Sequence, residues 1–402
     1  MLRRALGLCC WAVAATATLG CSGKERAPFL VEPDASYDTA PPPDGSDFDV
    51  KVDTAPLDCT GGVDAGICAC TEIGQKPPVV YLVLDRSGSM TAKDLGSKSR
   101  WDLVRVALFD STAGVLRKLG GRIAPALAVF PAASAGATQC SAGAELRAPS
   151  TGNKDVYDDL QSLLVKVTPA GGTPTAATLR ALSANLTKLA ADGRPVFVLL
   201  ATDGAPNCAT TGCTADRCTR NIEGDLTADG RKCSPSLNCC DPKATADGSP
   251  LNCVDADATV AAVTALASVG VKTFVFGVPG TEAYAKDLDA LAVAGGTPRE
   301  GAPVGERYYA VKSTTQDAFV AALQAIAAKV VDDCVVTLES APTDPGVTNV
   351  LVDGVLVPQD PVDGWTWTSD RTIELHGKAC AQIKAGLVGR LQVAVGCKTV
   401  TK

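Results

Sequence analysis

The sequence predicts an α/β fold, a doubly wound and mostly parallel sheet, on three observations. Two continuous apolar runs, Val79-Val80-Tyr81-Leu82-Val83-Leu84 and Val196-Phe197-Val198-Leu199-Leu200, read as strands buried on both faces. Segments of helical apolar spacing alternate with such runs. Polar residues gather directly after the runs, at the carboxyl ends of the strands, where sheets of this kind bind ligands. A Cys-rich insertion and a small C-terminal antiparallel β-module complete the expected architecture.

Each element follows in order. Residues 1–20 read as an export signal, with Arg3 and Arg4 as the positive region and a short apolar stretch ending at Leu19-Gly20-Cys21-Ser22. That ending resembles a bacterial lipoprotein cleavage box, with Thr18 where the box has leucine, which marks Cys21 for lipidation. Ordinary secretion is the alternative, and either route leads to an oxidising compartment. Residues 21–57 are rich in proline and aspartate, a composition that builds no core and reads as an extended tether. Residues 58–76 form a Cys-containing lead-in.

The main domain is expected over 77–331. Its first strand ends at Asp85-Arg86-Ser87-Gly88-Ser89-Met90, and a helix follows with Trp101, Val104, Leu108, Val115 and Leu119 near one face. Residues 123–130 read as a second strand, and Leu179, Leu182, Leu186 and Leu189 mark a helix. The run from Val196 ends at Thr202-Asp203-Gly204, before the insertion at 205–254. A helix with Val260, Val263 and Leu266, a strand over 271–278 and a last helix with Phe319, Leu323, Ile326 and Val330 close the domain. Residues 332–402 alternate apolar and polar positions and carry a Val352-Asp353-Gly354-Val355 hairpin signal. Trp365 and Trp367 share a strand face there and read as core packing or as cover for an exposed sheet face, with a binding surface as the alternative.

Composition excludes several functions. The net charge is −7, against a nucleic-acid binder held through phosphates. Apolar residues make up 46%, so the chain as a whole is not disordered. The only histidine is His376, which disfavours a His-ligated catalytic metal or a Ser-His-Asp triad.

The strand-end residues form a chemical set. Asp85, Ser87 and Ser89 stand at spacing two, Gly88 permits a tight turn, Asp203 ends another strand, and Gly171-Gly172-Thr173 precedes a helix. Carboxylates and hydroxyls are oxygen donors suited to a hard cation. Magnesium is the expected ion, with manganese or calcium as alternatives; zinc and copper would find no soft or imidazole ligand.

The ordered set Asp85-x-Ser87-x-Ser89, Gly171-Gly172-Thr173 and Thr202-Asp203-Gly204 resembles the metal-ion-dependent adhesion site of von Willebrand factor type A domains, over about residues 77–331. The resemblance implies a Rossmann-type fold of that kind. It also implies that Ser87 and Ser89 bind the metal directly, Thr173 directly or through water, and Asp85 and Asp203 mainly through water or hydrogen bonds to the serines. An open position would then take a carboxylate from a partner protein.

The cysteines are read by parity. Without Cys9, Cys10 and Cys21, fourteen of the 17 remain, an even number. Cys208, Cys213, Cys218, Cys233, Cys239, Cys240 and Cys253 lie in the insertion. Seven is odd, so Cys140, expected at the same end of the sheet, should pair with one of them. Cys59, Cys68 and Cys70 before the domain and Cys334, Cys380 and Cys397 after it form two odd trios. Full pairing therefore requires a bridge between the flanks. Zinc ligation is the rival for the insertion, and export favours disulfides.

The expected function is an exported, membrane-anchored binding or adhesion module of the bacterial envelope. Its metal would capture an acidic group of a protein or matrix partner. The alternatives are an envelope scaffold stabilised by the metal, a metal-dependent hydrolase or a thiol-redox enzyme. The enzymes are disfavoured because both carboxylates are needed at the metal and no Cys-x-x-Cys occurs.

Overall fold

The computed structural model describes residues 71–72, 76–93, 97–134, 136–313, 315–331, 334–384 and 391–402. The leader, Cys21, the tether, Cys59, Cys68 and Cys70 lie outside them. The first half of the chain contains β1 (Thr71–Glu72), β2 (Val79–Asp85), α1 (Arg100–Phe109), α2 (Val115–Leu119), β3 (Ala124–Phe130), β4 (Ala144–Arg147), α3 (Lys154–Val165), α4 (Thr175–Ala191) and β5 (Val196–Thr202). Then come α5 (Thr219–Glu223), α6 (Ala256–Ser268), β6 (Val271–Gly277), α7 (Ala285–Ala294), β7 (Tyr309–Ala310) and α8 (Gln316–Val331). The C-terminal part adds β8 (Val335–Thr337), β9 (Thr348–Val352), β10 (Val355–Val357), β11 (Trp365–Trp367), β12 (Thr372–Leu375), α9 (Gly377–Lys384) and β13 (Leu391–Val395).

Six strands form the main sheet in the order β4-β3-β2-β5-β6-β7. All pairs are parallel except β3 with the edge strand β4. Every residue of β2, β3 and β5 is buried. Alternation explains how both faces are apolar. Val80, Leu82 and Leu84 pack with Trp101, Leu108, Leu160 and Leu323 from α1, α3 and α8. Val79, Tyr81 and Val83 pack with Leu179, Val263 and Leu288 from α4, α6 and α7. A strand covered on both sides must be apolar at successive positions.

Two local expectations change. The helix expected to run past Val115 is broken into α1 and α2, because Asp110 Oδ1 accepts from the Thr112 and Ala113 amides. Gly114 packs against the Asp110 backbone so closely that a Cβ would collide with it. The segment 144–165, assigned no element from sequence, holds β4 and α3. Asn153 caps α3 by accepting from the Val156 amide at 2.9 Å.

Helix α1 starts with a capping box. Ser99 Oγ accepts from the Asp102 amide at 3.1 Å, and Asp102 Oδ2 accepts from the Ser99 amide at 3.3 Å. Ser99→Ala should cost about 1 kcal/mol, read as a lower urea midpoint with unchanged slope. No change would mean that tertiary packing alone sets where α1 begins.

The C-terminal module consists of two small antiparallel sheets, β1-β13-β9-β10 and β11-β12-β8. They share a core of Val336, Leu338, Val350, Val352, Trp365, Ile373, Leu375 and Val393. The β9–β10 turn places Asp353 at φ 49° and Gly354 at φ 83°, the left-handed pair that a two-residue hairpin needs. Trp365 is fully buried and donates its indole N–H to the Val357 carbonyl at 3.0 Å. Trp367 is half-buried and meets Trp365 edge-on, with centroids 5.6 Å apart. The edge strand β1 comes from the lead-in, with Thr71 opposite Val395. Cys334 is bonded to Cys380. Among the described residues, no helix is long and apolar enough to cross a membrane.

Candidate metal centre

The carboxyl ends of β2 and β5 lie side by side in the sheet, with Leu84 opposite Ala201. This register brings Asp85 and Asp203 to one end of adjacent strands. After β2 the chain turns through Ser87 into a short 3-10 turn over Gly88–Thr91. The Gly171 loop is stitched to this turn. The Gly88 amide donates to the Gly171 carbonyl at 2.9 Å, and the Ala170 amide to the Arg86 carbonyl at 2.7 Å. Arg86 also donates from Nε to the Pro131 carbonyl and from Nη2 to the Ala132 carbonyl, each at 2.8 Å. One guanidinium thus fastens the β2 loop to the loop after β3.

The side chains converge. Ser87 Oγ and Ser89 Oγ are 2.9 Å apart. Ser89 Oγ donates to Asp203 Oδ1 at 2.8 Å, and Ser87 Oγ lies 3.5 Å from the same oxygen. Asp85 Oδ1 accepts from the Ser87 amide at 2.7 Å, and its Oδ2 accepts from Thr202 Oγ1 at 2.7 Å. Asp85, Ser87, Thr173 and Asp203 are all buried. Asp85 therefore holds the turn and Thr202, while Asp203 faces the two serines.

This donor set fits a small hard cation. Metal–oxygen distances of 2.0–2.1 Å in an octahedron place adjacent oxygens about 2.9 Å apart. The Ser87–Ser89 and Ser89–Asp203 separations have that length. All three groups are oxygen donors, and no thiol or imidazole enters the cluster. The structure brings Asp85, Ser87, Ser89 and Asp203 together and fastens the Thr173 loop beside them.

The electrostatics also favour positive charge. Burial, and then the charge of Asp203, push the Asp85 carboxyl up to about 7. Burial raises Asp203 as well, opposed by hydrogen bonds from Ser89 and Arg100. Arg100, the first residue of α1, donates from Nη1 to Asp203 Oδ2 at 2.9 Å. Gly280, at φ 113°, leaves room for that guanidinium, which a Cβ there would meet. Sequence reasoning missed Arg86, Arg100 and Asn207, because the groups they hold, the Pro131 and Ala132 carbonyls, Asp203 and Thr173, come from distant segments with no regular spacing to reveal them.

The Cys-rich insertion borders the same end of the sheet. Cys140, from the loop after β3, is bonded to Cys208. Within the insertion Cys213 is bonded to Cys253, Cys218 to Cys240 and Cys233 to Cys239. On the other side, Arg217 forms an ion pair with Asp287 of α7 at 3.1 Å, and Tyr284 donates to Glu223 at 2.7 Å. The insertion is thus held at both flanks of the centre. His376 lies apart, in the C-terminal module, with Nε2 at 2.8 Å from Thr366 Oγ1.

No protein-family model matches the chain, and no curated protein matches it. Several solved structures are similar. The pilus adhesin SpaC from Lactobacillus rhamnosus GG matches with 16% identity and a TM-score of 0.42, over 80% of this chain and 39% of that one. A von Willebrand factor type A protein from Catenulispora acidiphila matches with 11% identity and a TM-score of 0.40, over 81% and 59%. The manganese-loaded TRAP protein of Plasmodium vivax matches with 16% identity and a TM-score of 0.36, over 63% and 74%. The chain thus spans about two fifths of the length of the pilus adhesin.

Proposed function

We propose that this protein is an exported, divalent-cation-dependent binding or adhesion module, anchored to the bacterial envelope through a lipid on Cys21. The observation that carries this reading is the convergence of Ser87, Ser89 and Asp203 oxygens at the carboxyl ends of parallel strands, with Ser89 at octahedral edge spacing from both other oxygens and Ser87 3.5 Å from Asp203. Ser87 and Ser89 offer neutral oxygens, Asp203 offers one carboxylate, and Thr173 is the further ligand. Asp85 keeps the Ser87 turn in place. Magnesium, or manganese or calcium in its stead, would present residual positive charge to a carboxylate of a protein or matrix partner. The insertion, fastened beside the centre, would supply the contacts that choose that partner.

The test is a display selection for polypeptide ligands of the oxidised protein, in magnesium and in chelator. Ligands recovered only with magnesium, each losing binding when one Asp or Glu is changed to Asn or Gln, are the expected result. Ligands that bind equally in chelator would assign the contact to another surface. A Ser87→Ala variant that stays folded but loses the ligands would separate a binder from a scaffold whose metal only stabilises it.

A further inference from the structure

Thr173 is held from outside its own loop. Its amide donates to Asn207 Oδ1 at 2.7 Å, and its carbonyl accepts from the Asn207 amide at 2.9 Å. One residue thus grips both polar backbone groups of Thr173. The neighbouring Gly172 amide donates to the Gln139 carbonyl at 2.8 Å. A Cβ on Gly172 would lie 3.0 Å from both Asn207 Oδ1 and Cys208 Sγ, so the loop is packed directly beneath these two residues.

Asn207 is itself immobilised. Cys208 is bonded to Cys140, next in sequence to the Gln139 that holds Gly172. The Cys208 amide donates to the Leu251 carbonyl at 2.8 Å, and the Asp255 amide to the Pro206 carbonyl at 2.8 Å. Cys208 takes φ 71°, a left-handed conformation that a non-glycine residue keeps only where its surroundings impose it.

We propose that Asn207, locked by the Cys140–Cys208 bond, is a positioning residue that fixes Thr173 and so makes the centre discriminate magnesium from calcium. This inference rests on the cation-centre reading above. Magnesium demands near-ideal octahedral geometry at 2.0–2.1 Å, whereas calcium tolerates 2.3–2.6 Å and irregular coordination. A loop pinned on both sides holds the tight geometry. A slack loop lets the cradle widen, which harms the small ion far more than the large one.

The experiment is calorimetric titration of the full-length oxidised protein with magnesium alone and with calcium alone. It compares wild type, Asn207→Ala, Cys140→Ser/Cys208→Ser and Asp85→Ala, each checked for cooperative melting in chelator. Outer partners that orient metal ligands typically contribute about 10–100-fold in affinity. Magnesium affinity should therefore fall about tenfold in Asn207→Ala, and also in the double serine variant, with calcium changed less than about twofold. Equal losses for both ions, or an unchanged magnesium-to-calcium ratio in both variants, would overturn the positioning role while leaving the centre standing. A wild type that binds neither ion, or binding untouched in Asp85→Ala, would overturn the centre itself and this inference with it.

Discussion

In chelator, Asp85→Asn should be at least as stable as wild type, whereas Asp203→Asn should lose about 3 kcal/mol. The two carboxylates sit in one buried cluster, yet their surroundings differ. Asp203 has a guanidinium partner, with Arg100 Nη1 2.9 Å from its Oδ2. Neutralising Asp203 removes the buried charge that faces this guanidinium, the costly way to break such a pair. Asp85 has no such partner, and burial and Asp203 push its carboxyl up to about 7. Asparagine keeps the oxygen that accepts from the Ser87 amide, and Thr202 Oγ1 also lies 3.1 Å from the Gly204 carbonyl as a second acceptor. Removing Asp85's charge thus relieves repulsion without opening the turn. With magnesium the order should reverse. Wild type should gain about 2.7 kcal/mol at a hundredfold excess over its dissociation constant, and Asp85→Asn little or none. Urea melts of three proteins in two buffers decide the matter. If Asp85→Asn falls as far as Asp203→Asn in chelator, Asp85 serves as a strand-end cap rather than as stored negative charge.

The second large effect belongs to the insertion. Its hydrophobic cluster consists of Cys218, Cys233, Cys239, Cys240 and Cys253, with Ala209, Cys213 and Leu237 against them. The sulfurs are most of its core, as in small disulfide-built domains. Cys218–Cys240 closes a loop of sequence separation 22, for which the chain-entropy account gives about 3 kcal/mol. Cys218→Ala/Cys240→Ala should therefore make residues 208–253 sensitive to limited proteolysis while the main sheet still melts cooperatively. An unchanged cleavage pattern would show that the Arg217–Asp287 ion pair, the Tyr284–Glu223 hydrogen bond and the other disulfides hold the insertion without this bond.

Much of this was legible in the sequence, and the remainder was not for physical reasons. β2 and β5 announced themselves because a strand covered on both faces is apolar throughout. The Asp85, Ser87 and Ser89 spacing survives folding because one turn carries all three. Parity directed Cys140 to the insertion, yet the pairings of Cys213, Cys218 and Cys233 depend on how that loop coils. β4 is exposed or half-buried throughout, and its Ala144-Glu145-Leu146-Arg147 alternation spans only 4 residues, too short to read. α3 did carry Val156, Tyr157, Leu160 and Leu164 at helical spacing, a signal that polar neighbours obscured. Arg100 reaches Asp203, and Asn207 reaches Thr173, only through tertiary approach, which no local pattern encodes.

The division of labour within the insertion has an evolutionary consequence. Its first residues, 205–208, are committed to Thr173 and Cys140, whereas Thr210, Thr211, Asp229, Arg231, Lys232 and Ser236 are exposed between the bonds. Because sulfurs rather than apolar side chains hold the loop together, these exposed positions can change without repacking anything. Descendants of this chain can therefore vary the surface of the outer loop by drift, with no rearrangement of the Thr173 loop beneath it.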